Sequence, residues 1–365
     1  MRVLNGVFLN KVKRAALRKV DASFGRLYSI QKTLDSMALR PYELHLELTN
    51  ICNANCVFCP YQFQTREFAF MTDEVFYKAV NDFVACGGGS VGLTPVVGDA
   101  LIDPKFIQRV RHLRSIRQID RIWVITNAIL LDKHGIAEVL DSGLSAITIS
   151  TSGFDEDTYR RIYRSAAYQR VRKNILDLLE NNSLRPDPIP IAIGLRSDRP
   201  LEEVLADPDF QAILGYKPEI DFTWSYTSAN GRITRDILPE GMRLRTVSSR
   251  SESCVQTYNG PIVLADGAVM ACSCVASMDA LEDLGIGNVL RESLLDIWTG
   301  EKVKRLRTSF GGGALNKTCS GCDMYRDLEL YRTSEGRERA RLNRDRYDGS
   351  IVKRSAKPKG PFGGG

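Results

Sequence analysis

Residues 52–59 read CNANCVFC, three thiols on one short stretch with Pro60 directly behind them. Gaps of three and two residues put Cys52, Cys56 and Cys59 within reach of a single metal centre. A structural zinc ion asks for four ligands, and the nearby His45 sits in the middle of an alternating, strand-like run. Three cysteines suit a [4Fe–4S] cluster, in which one iron is left without a protein ligand and can take a small molecule instead. Five more cysteines fall in the last third of the chain: Cys254, Cys272, Cys274, Cys319 and Cys322. Cys86 stands alone before GGGS and reads as an inert buried thiol.

Thiols in this number need a reducing compartment if they are not paired as disulfides. The chain has 365 residues, 43% hydrophobic and 26% charged, which is enough for a large core in one or two domains. No apolar run reaches the roughly 18 residues of a membrane span. The opening residues lack a secretory leader, because Asn5 and Gly6 interrupt a short apolar stretch. The expected location is therefore the cytoplasm. Charge is uneven: residues 1–40 hold nine Lys/Arg against two Asp/Glu, residues 326–365 eleven against six, and the body between them thirty against thirty-six. The basic ends are not interleaved with aromatics, which argues against nucleic-acid binding.

The elements that must carry these residues alternate in period. YELHLELT (42–49), SVGLTPVVG (90–98), DRIWVIT (120–126), SAITIST (145–151), PIPIAIGLR (188–196) and EIDFTWSYT (219–227) read as strands. Helix-length segments fill the gaps, such as TDEVFYKAVNDFVAC with Thr72 as its N-cap; PLEEVLADPDFQAIL reads as a broken helix. Six βα units predict a parallel sheet wound right-handed into a partial (β/α)6 TIM-like barrel, short of the eight units of a closed one. A small C-terminal α+β domain follows, with a hairpin turning at Asp266-Gly267. The helical segment 7–35 has an irregular apolar face among basic residues. It predicts packing across the body, with peripheral contact to an anionic membrane as the alternative.

Cys-x3-Cys-x2-Cys after the first strand of a βα barrel resembles the radical S-adenosylmethionine (radical SAM) superfamily. The resemblance implies that SAM chelates the open iron and is split reductively to methionine and a 5′-deoxyadenosyl radical. Phe58 is the aromatic usual before the last cysteine and would lie near the adenine. GDAL (98–101) stands where the family has Gly-Glu-Pro, which makes Gly98 and Asp99 candidates for holding the SAM ammonium, although Asp99 and Ala100 replace Glu and Pro. ITNA (125–128) resembles Thr-Asn-Gly and nominates Asn127. ISTSGF (149–154) resembles Ile-Ser-x-Asp-Gly and nominates Ser150, with Ser152 in place of the acid. Arg196, closing strand five, is a candidate for the SAM carboxylate or the substrate. All five strand-end positions fall where barrel sites assemble.

Cys254 and Cys272, with Gly267 five residues before the second, followed by Cys319-x2-Cys322, resemble the front half of a SPASM domain. No cysteine follows Cys322, so the pattern resembles the shorter twitch form, which binds one auxiliary [4Fe–4S] cluster. Cys254, Cys272, Cys319 and Cys322 would be its ligands, with a zinc ribbon as the alternative. Cys274 is left over. It reads either as a hydrogen-atom donor, as in neomycin C epimerase-type enzymes, or as a spare thiol or alternate ligand.

The expected organisation is a basic helical extension (1–40), a radical SAM partial barrel (41–235), an auxiliary-cluster domain (236–330) and a basic, partly disordered tail (331–365). The expected function is hydrogen abstraction from a small polar substrate, a sugar, aminocyclitol or related natural-product intermediate. The outcome would be dehydrogenation, as in 2-deoxy-scyllo-inosamine dehydrogenase-type enzymes, or epimerisation. Cofactors would be SAM and two [4Fe–4S] clusters, and an external flavodoxin or ferredoxin would supply electrons. A radical SAM peptide maturase is the alternative, and a non-catalytic metal-binding adaptor a further one.

Overall fold

The six alternating runs each form a strand in the computed structural model: β1 Glu43–Leu46, β2 Gly89–Gly92, β3 Ile119–Thr126, β4 Ala146–Thr151, β5 Ile191–Leu195 and β6 Glu219–Phe222. The structure describes residue 20 and residues 30–93, 96–223, 225–247, 250, 252–272, 278–310 and 314–355. Successive strands pair in parallel from β1 through to β6. The sheet is open, since β1 and β6 are not neighbours in the strand order. Burial alternates along β1 and β4, so Leu44, Leu46, Ile147 and Ile149 pack into the core and the intervening residues take the other face.

The auxiliary region does not stand apart from this sheet. After a short two-stranded ladder, β7 Ser225–Tyr226 with β8 Arg243–Leu244, the chain returns as β9 Ile262–Val263, β10 Ala268–Met270 and β11 Gly285–Asn288. Strand β9 pairs in parallel with β1, and β10 and β11 add antiparallel beyond it. Nine strands thus run β11-β10-β9-β1-β2-β3-β4-β5-β6. The expected hairpin turns at Gly267, whose φ of 85° suits glycine. One hydrophobic core runs through both regions, from Leu44 and Ile193 to Val263, Val269 and Trp298.

Helices begin and end where their caps dictate. Thr72 Oγ1 accepts from Val75 N at 3.2 Å to start the helix Asp73–Ala85, with Asp73 and Glu74 in its first turn. Two helical stretches that read as continuous are divided: Gly135 (φ 78°) separates Leu131–His134 from Ile136–Asp141, and Gly300 separates Leu294–Thr299 from Glu301–Ser309. The stretch that reads as a broken helix is broken at Asp207, between Leu201–Ala206 and Pro208–Leu214.

Within the C-terminal segment expected as a partly disordered tail, residues 334–355 form a helix against Gln31–Ala38 of the N-terminal extension, and residues 356–365 lie outside the described residues. Asn343, fully buried, donates from Nδ2 to the carbonyls of Ser36 (2.7 Å) and Arg40 (3.2 Å), and Arg40 Nε returns a bond to Asn343 O. The buried contacts rest on a small and a polar residue, Ala340 and Asn343, which gave no apolar stripe among the arginines.

Candidate active site

The first three thiols sit on the loop after β1, held to the barrel by backbone bonds. Asn55 N and Val57 N donate to the carbonyls of Tyr163 (3.3 Å) and Ile162 (2.9 Å), the last two residues of the helix Glu156–Tyr163. The loop thereby satisfies carbonyls that a helix terminus leaves open. Tyr61 N donates to Cys59 Sγ at 3.5 Å, and Tyr61 Oη donates to Cys52 O at 3.2 Å. Below the loop, Arg66 makes a two-pronged pair with Glu47 at 2.7 and 2.6 Å, Glu47 being fully buried. Glu47 also accepts from Ala265 N at 3.4 Å, so one carboxylate joins the cysteine loop to the β9–β10 hairpin.

Burial raises all three thiols, Cys52 to about 12 with the carboxylate of Asp99 adding to the effect. A thiolate here is favoured only by a bound cation, and three such thiols on one loop are a donor set that fits three irons of a [4Fe–4S] cluster.

The strand-end residues converge around this loop. Gly98 has φ of 99°, and a Cβ there would lie 2.8 Å from the carbonyls of Thr49 and Ile51. Asp99 N donates to Ile51 O at 2.9 Å. The Asp99 carboxylate, 3% exposed, accepts from Leu101 N, Thr126 Oγ1 and Asn127 N at 2.8–3.1 Å. It stitches the ends of β2 and β3 together, and burial raises its pKa against those hydrogen bonds. Asn127 Nδ2 lies 3.8 Å from Cys52 Sγ and donates to Asn53 Oδ1 at 2.7 Å. Such an N–H toward a ligand sulfur bears on the potential of a cluster.

Ser150 Oγ lies 2.8 Å from Tyr163 Oη, and the Tyr163 ring meets the edge of Phe58 at 5.6 Å. Phe58 also lies 5.4 Å from Tyr226 on β7. Arg196 follows β5, hydrogen-bonds Thr223, and its positive charge acts on both Tyr163 and Tyr226. Sequence reasoning missed Tyr163 and Tyr226. Tyr226 lay inside a run read as one strand, and Tyr163 closed a helix; neither carried a motif.

Cys254, Cys272, Cys319 and Cys322 line one cavity, walled by Leu284, Phe310 and Tyr325. Cys319 N donates to the N-cap Asn316 Oδ1 at 2.7 Å, and Thr257 Oγ1 donates to Cys254 O at 2.8 Å. Burial raises Cys254 to about 11 and Cys319 to about 12, with the neighbouring thiols adding to each. Four thiols around one apolar cavity fit a fully ligated cluster. Cys274 lies outside the described residues, and the eight described cysteines form no disulfide with one another. Cys86 is buried at the end of its helix and does not line the cavity of the second set.

The segment after β6 touches both sites. While Tyr226 packs on Phe58, Thr227 Oγ1 donates to Asp323 Oδ1 at 2.6 Å and Ser228 N donates to Asp323 Oδ2. Asp323 directly follows Cys322.

Comparisons with known proteins agree with this arrangement. Residues 46–195 match the radical SAM superfamily, and residues 254–323 match the iron–sulfur cluster-binding SPASM domain. The chain carries a radical SAM domain followed by a SPASM domain, and with them the binding of SAM, a [4Fe–4S] cluster and auxiliary iron–sulfur chemistry. It is 29% identical over 143 residues to the GTP 3′,8-cyclase of Clostridium perfringens, which is 38% of this chain and 43% of that enzyme. The chain thus matches less than half the length of this curated relative. Among solved structures, Streptococcus suis SuiB bound to precursor peptide SuiA has a TM-score of 0.55 at 14% identity, over 78% of this chain and 70% of that one. Native anSMEcpe with bound AdoMet has 0.53 at 12%, over 86% and 98%. At such identities the likeness is one of fold. Among the described residues no helix is long and apolar enough to cross a membrane.

Proposed function

We propose that this radical SAM enzyme abstracts a hydrogen atom from a small polar substrate, a sugar, aminocyclitol or related natural-product intermediate, and dehydrogenates or epimerises it. The observation that carries the reading is the Tyr226–Ser228 segment, which packs on Phe58 at one end and binds Asp323, beside Cys322, at the other. A substrate held along that segment lies between the two thiol sets.

When bound, SAM and its cluster supply a 5′-deoxyadenosyl radical able to take hydrogen from an unactivated carbon. The chain's own residues do the rest. Cys52, Cys56 and Cys59 would hold three irons, and Phe58 would flank the adenine. Gly98 and Asp99 would shape the strand-end backbone toward the SAM ammonium, with Asn127 and Ser150 as further contacts. Arg196 offers its guanidinium to a carboxylate of SAM or to a substrate oxygen. Cys254, Cys272, Cys319 and Cys322 would hold the auxiliary [4Fe–4S] cluster, whose chemistry would be that of an electron acceptor in dehydrogenation. Cys274, as hydrogen-atom donor, would instead give epimerisation. Unpaired thiols in this number support a reducing, cytoplasmic setting, and a flavodoxin or ferredoxin is the electron source this reading calls for.

A second reading is peptide maturation. It draws on SuiB and anSMEcpe, both solved with peptides bound. Against it, Gln31–Ala38 of the N-terminal extension forms a single helix packed on the C-terminal helix.

Anaerobic reconstitution with SAM and dithionite should release 5′-deoxyadenosine. No release would refute the enzyme reading and leave a metal-binding adaptor. In deuterated water, solvent label enters the product of epimerisation and stays out of the product of dehydrogenation. A Cys274→Ala variant that still forms 5′-deoxyadenosine but no product supports the donor role, and unchanged turnover removes it.

A further inference from the structure

Two phenylalanines stand out beside the first cysteine loop: Phe68 is 61% exposed and Phe70 45%. The backbone around Phe68 is firmly seated. The buried amide of Asn50 donates to Glu67 O at 2.7 Å and accepts from Ala69 N at 2.9 Å, gripping the chain on both sides. Thr49 Oγ1 donates to Ala69 O at 2.8 Å, and Phe70 pairs with Thr49 in an antiparallel bridge. Apolar rings held partly in water by a firmly seated backbone offer a surface on which another molecule can pack.

Inward from this face the route to the thiols is short. The Phe68 ring lies 6.4 Å from the ring of Tyr61, whose N–H reaches Cys59 Sγ and whose hydroxyl reaches Cys52 O. On the rim, exposed Arg164 donates to the neutral Gln62 Oε1 at 3.2 Å and has no carboxylate partner among the described residues. Glu67 is exposed nearby, so the rim is not uniformly basic; the apolar centre provides contact and Arg164 orientation.

We propose that the face of Phe68 and Phe70, with Arg164 at its edge, docks a small acidic one-electron carrier protein, a flavodoxin or low-potential ferredoxin, that reduces the first cluster. The inference rests on the radical SAM reading of the cysteine loop. An anionic flavin hydroquinone gives up one electron and becomes the neutral semiquinone with its proton count unchanged. That electron reduces the cluster from its 2+ to its 1+ state. Phe68 and Tyr61 bring the carrier within two side chains of Cys59. A substrate has no reason to use this face, because Tyr61 separates it from the thiols and the polar strand-end groups gather around Phe58 instead.

The test mixes reconstituted holoenzyme with flavodoxin hydroquinone in an anaerobic stopped-flow instrument and follows the semiquinone by its long-wavelength absorbance. Phe68→Asp should slow its appearance about tenfold or more, as expected for losing a central apolar anchor. Arg164→Gln should lower the association rate about threefold and flatten its dependence on ionic strength. Dithionite, a small reductant, should reduce both variants at the wild-type rate. Unchanged flavodoxin rates in both variants would overturn the proposal. So would equal losses with dithionite or a lowered iron content, which would make Phe68 a support of the loop. Wild-type protein that binds no iron at the three thiols would defeat the radical SAM reading itself, a failure visible before any donor is added.

Discussion

Tyr226 holds a phenol in the protein interior, 5% exposed, with no hydrogen-bond partner on its oxygen among the described residues. A buried hydroxyl in that state costs free energy unless a ligand completes it. Burial raises its pKa, partly offset by Arg196, so at neutral pH the group is a donor rather than a base. Tyr226→Phe keeps the ring against Phe58 and removes only the oxygen. Thermal unfolding should show stability unchanged or raised by up to about 1 kcal/mol, while product formed per 5′-deoxyadenosine falls. A loss of stability would mean the phenol has a structural partner, and the substrate role would fail. Gly98 makes the opposite case. Its positive φ and its approach to the carbonyls of Thr49 and Ile51 leave no room for a side chain. Gly98→Ala should cost about 2–4 kcal/mol and lower iron content, because the backbone it displaces leads straight into the cysteine loop. The alanine variant retaining full iron and wild-type melting would contradict this.

At the scale of elements, the strand ends were legible because each is a local signal. The cysteine spacing, GDAL, ITNA and Ser150 each lie within a few residues of a strand, and the barrel order brings them together. What could not be read was contact across distance. The bond from Thr227 to Asp323 joins residues 96 apart, and nothing in either neighbourhood announces the other. Strand β11, GIGN, shows no alternation and two glycines, so its pairing with β10 had no pattern to reveal it. The Thr227–Asp323 link can be tested directly. Asp323→Ala leaves the Ser228 N–H and the Thr227 hydroxyl without their acceptor, at a cost of about 1–3 kcal/mol. SAM cleavage should persist, since the first thiol loop is untouched, but substrate turnover should drop as the segment beneath Tyr226 loosens. Equal loss of both activities would show that the link serves the fold alone.

Across the whole molecule, the two thiol sets share one sheet. Strand β9 pairs with β1, and the Glu47 carboxylate bonds both Arg66 on the first loop and Ala265 on the hairpin. This makes two ways of removing the auxiliary site inequivalent. Cutting the chain after residue 235 removes β9–β11 together with Val263, Val269 and Trp298 of the common core, and uncovers the edge of β1 and the apolar residues that shared that core, such as Leu44 and Leu46. An unpaired edge with that much apolar surface should aggregate, so the truncated protein should be insoluble and free of iron. Removing thiols alone, with Cys319→Ala and Cys322→Ala together, leaves the sheet and core in place. Iron and sulfide should then fall from about eight of each per chain to about four. The double variant should stay folded and still release 5′-deoxyadenosine, while the proposed dehydrogenation, which calls on the auxiliary cluster as electron acceptor, should be lost. Wild-type protein with about four irons and one zinc would refute the auxiliary cluster. A soluble, SAM-cleaving truncation would refute the shared sheet as the support of the first site.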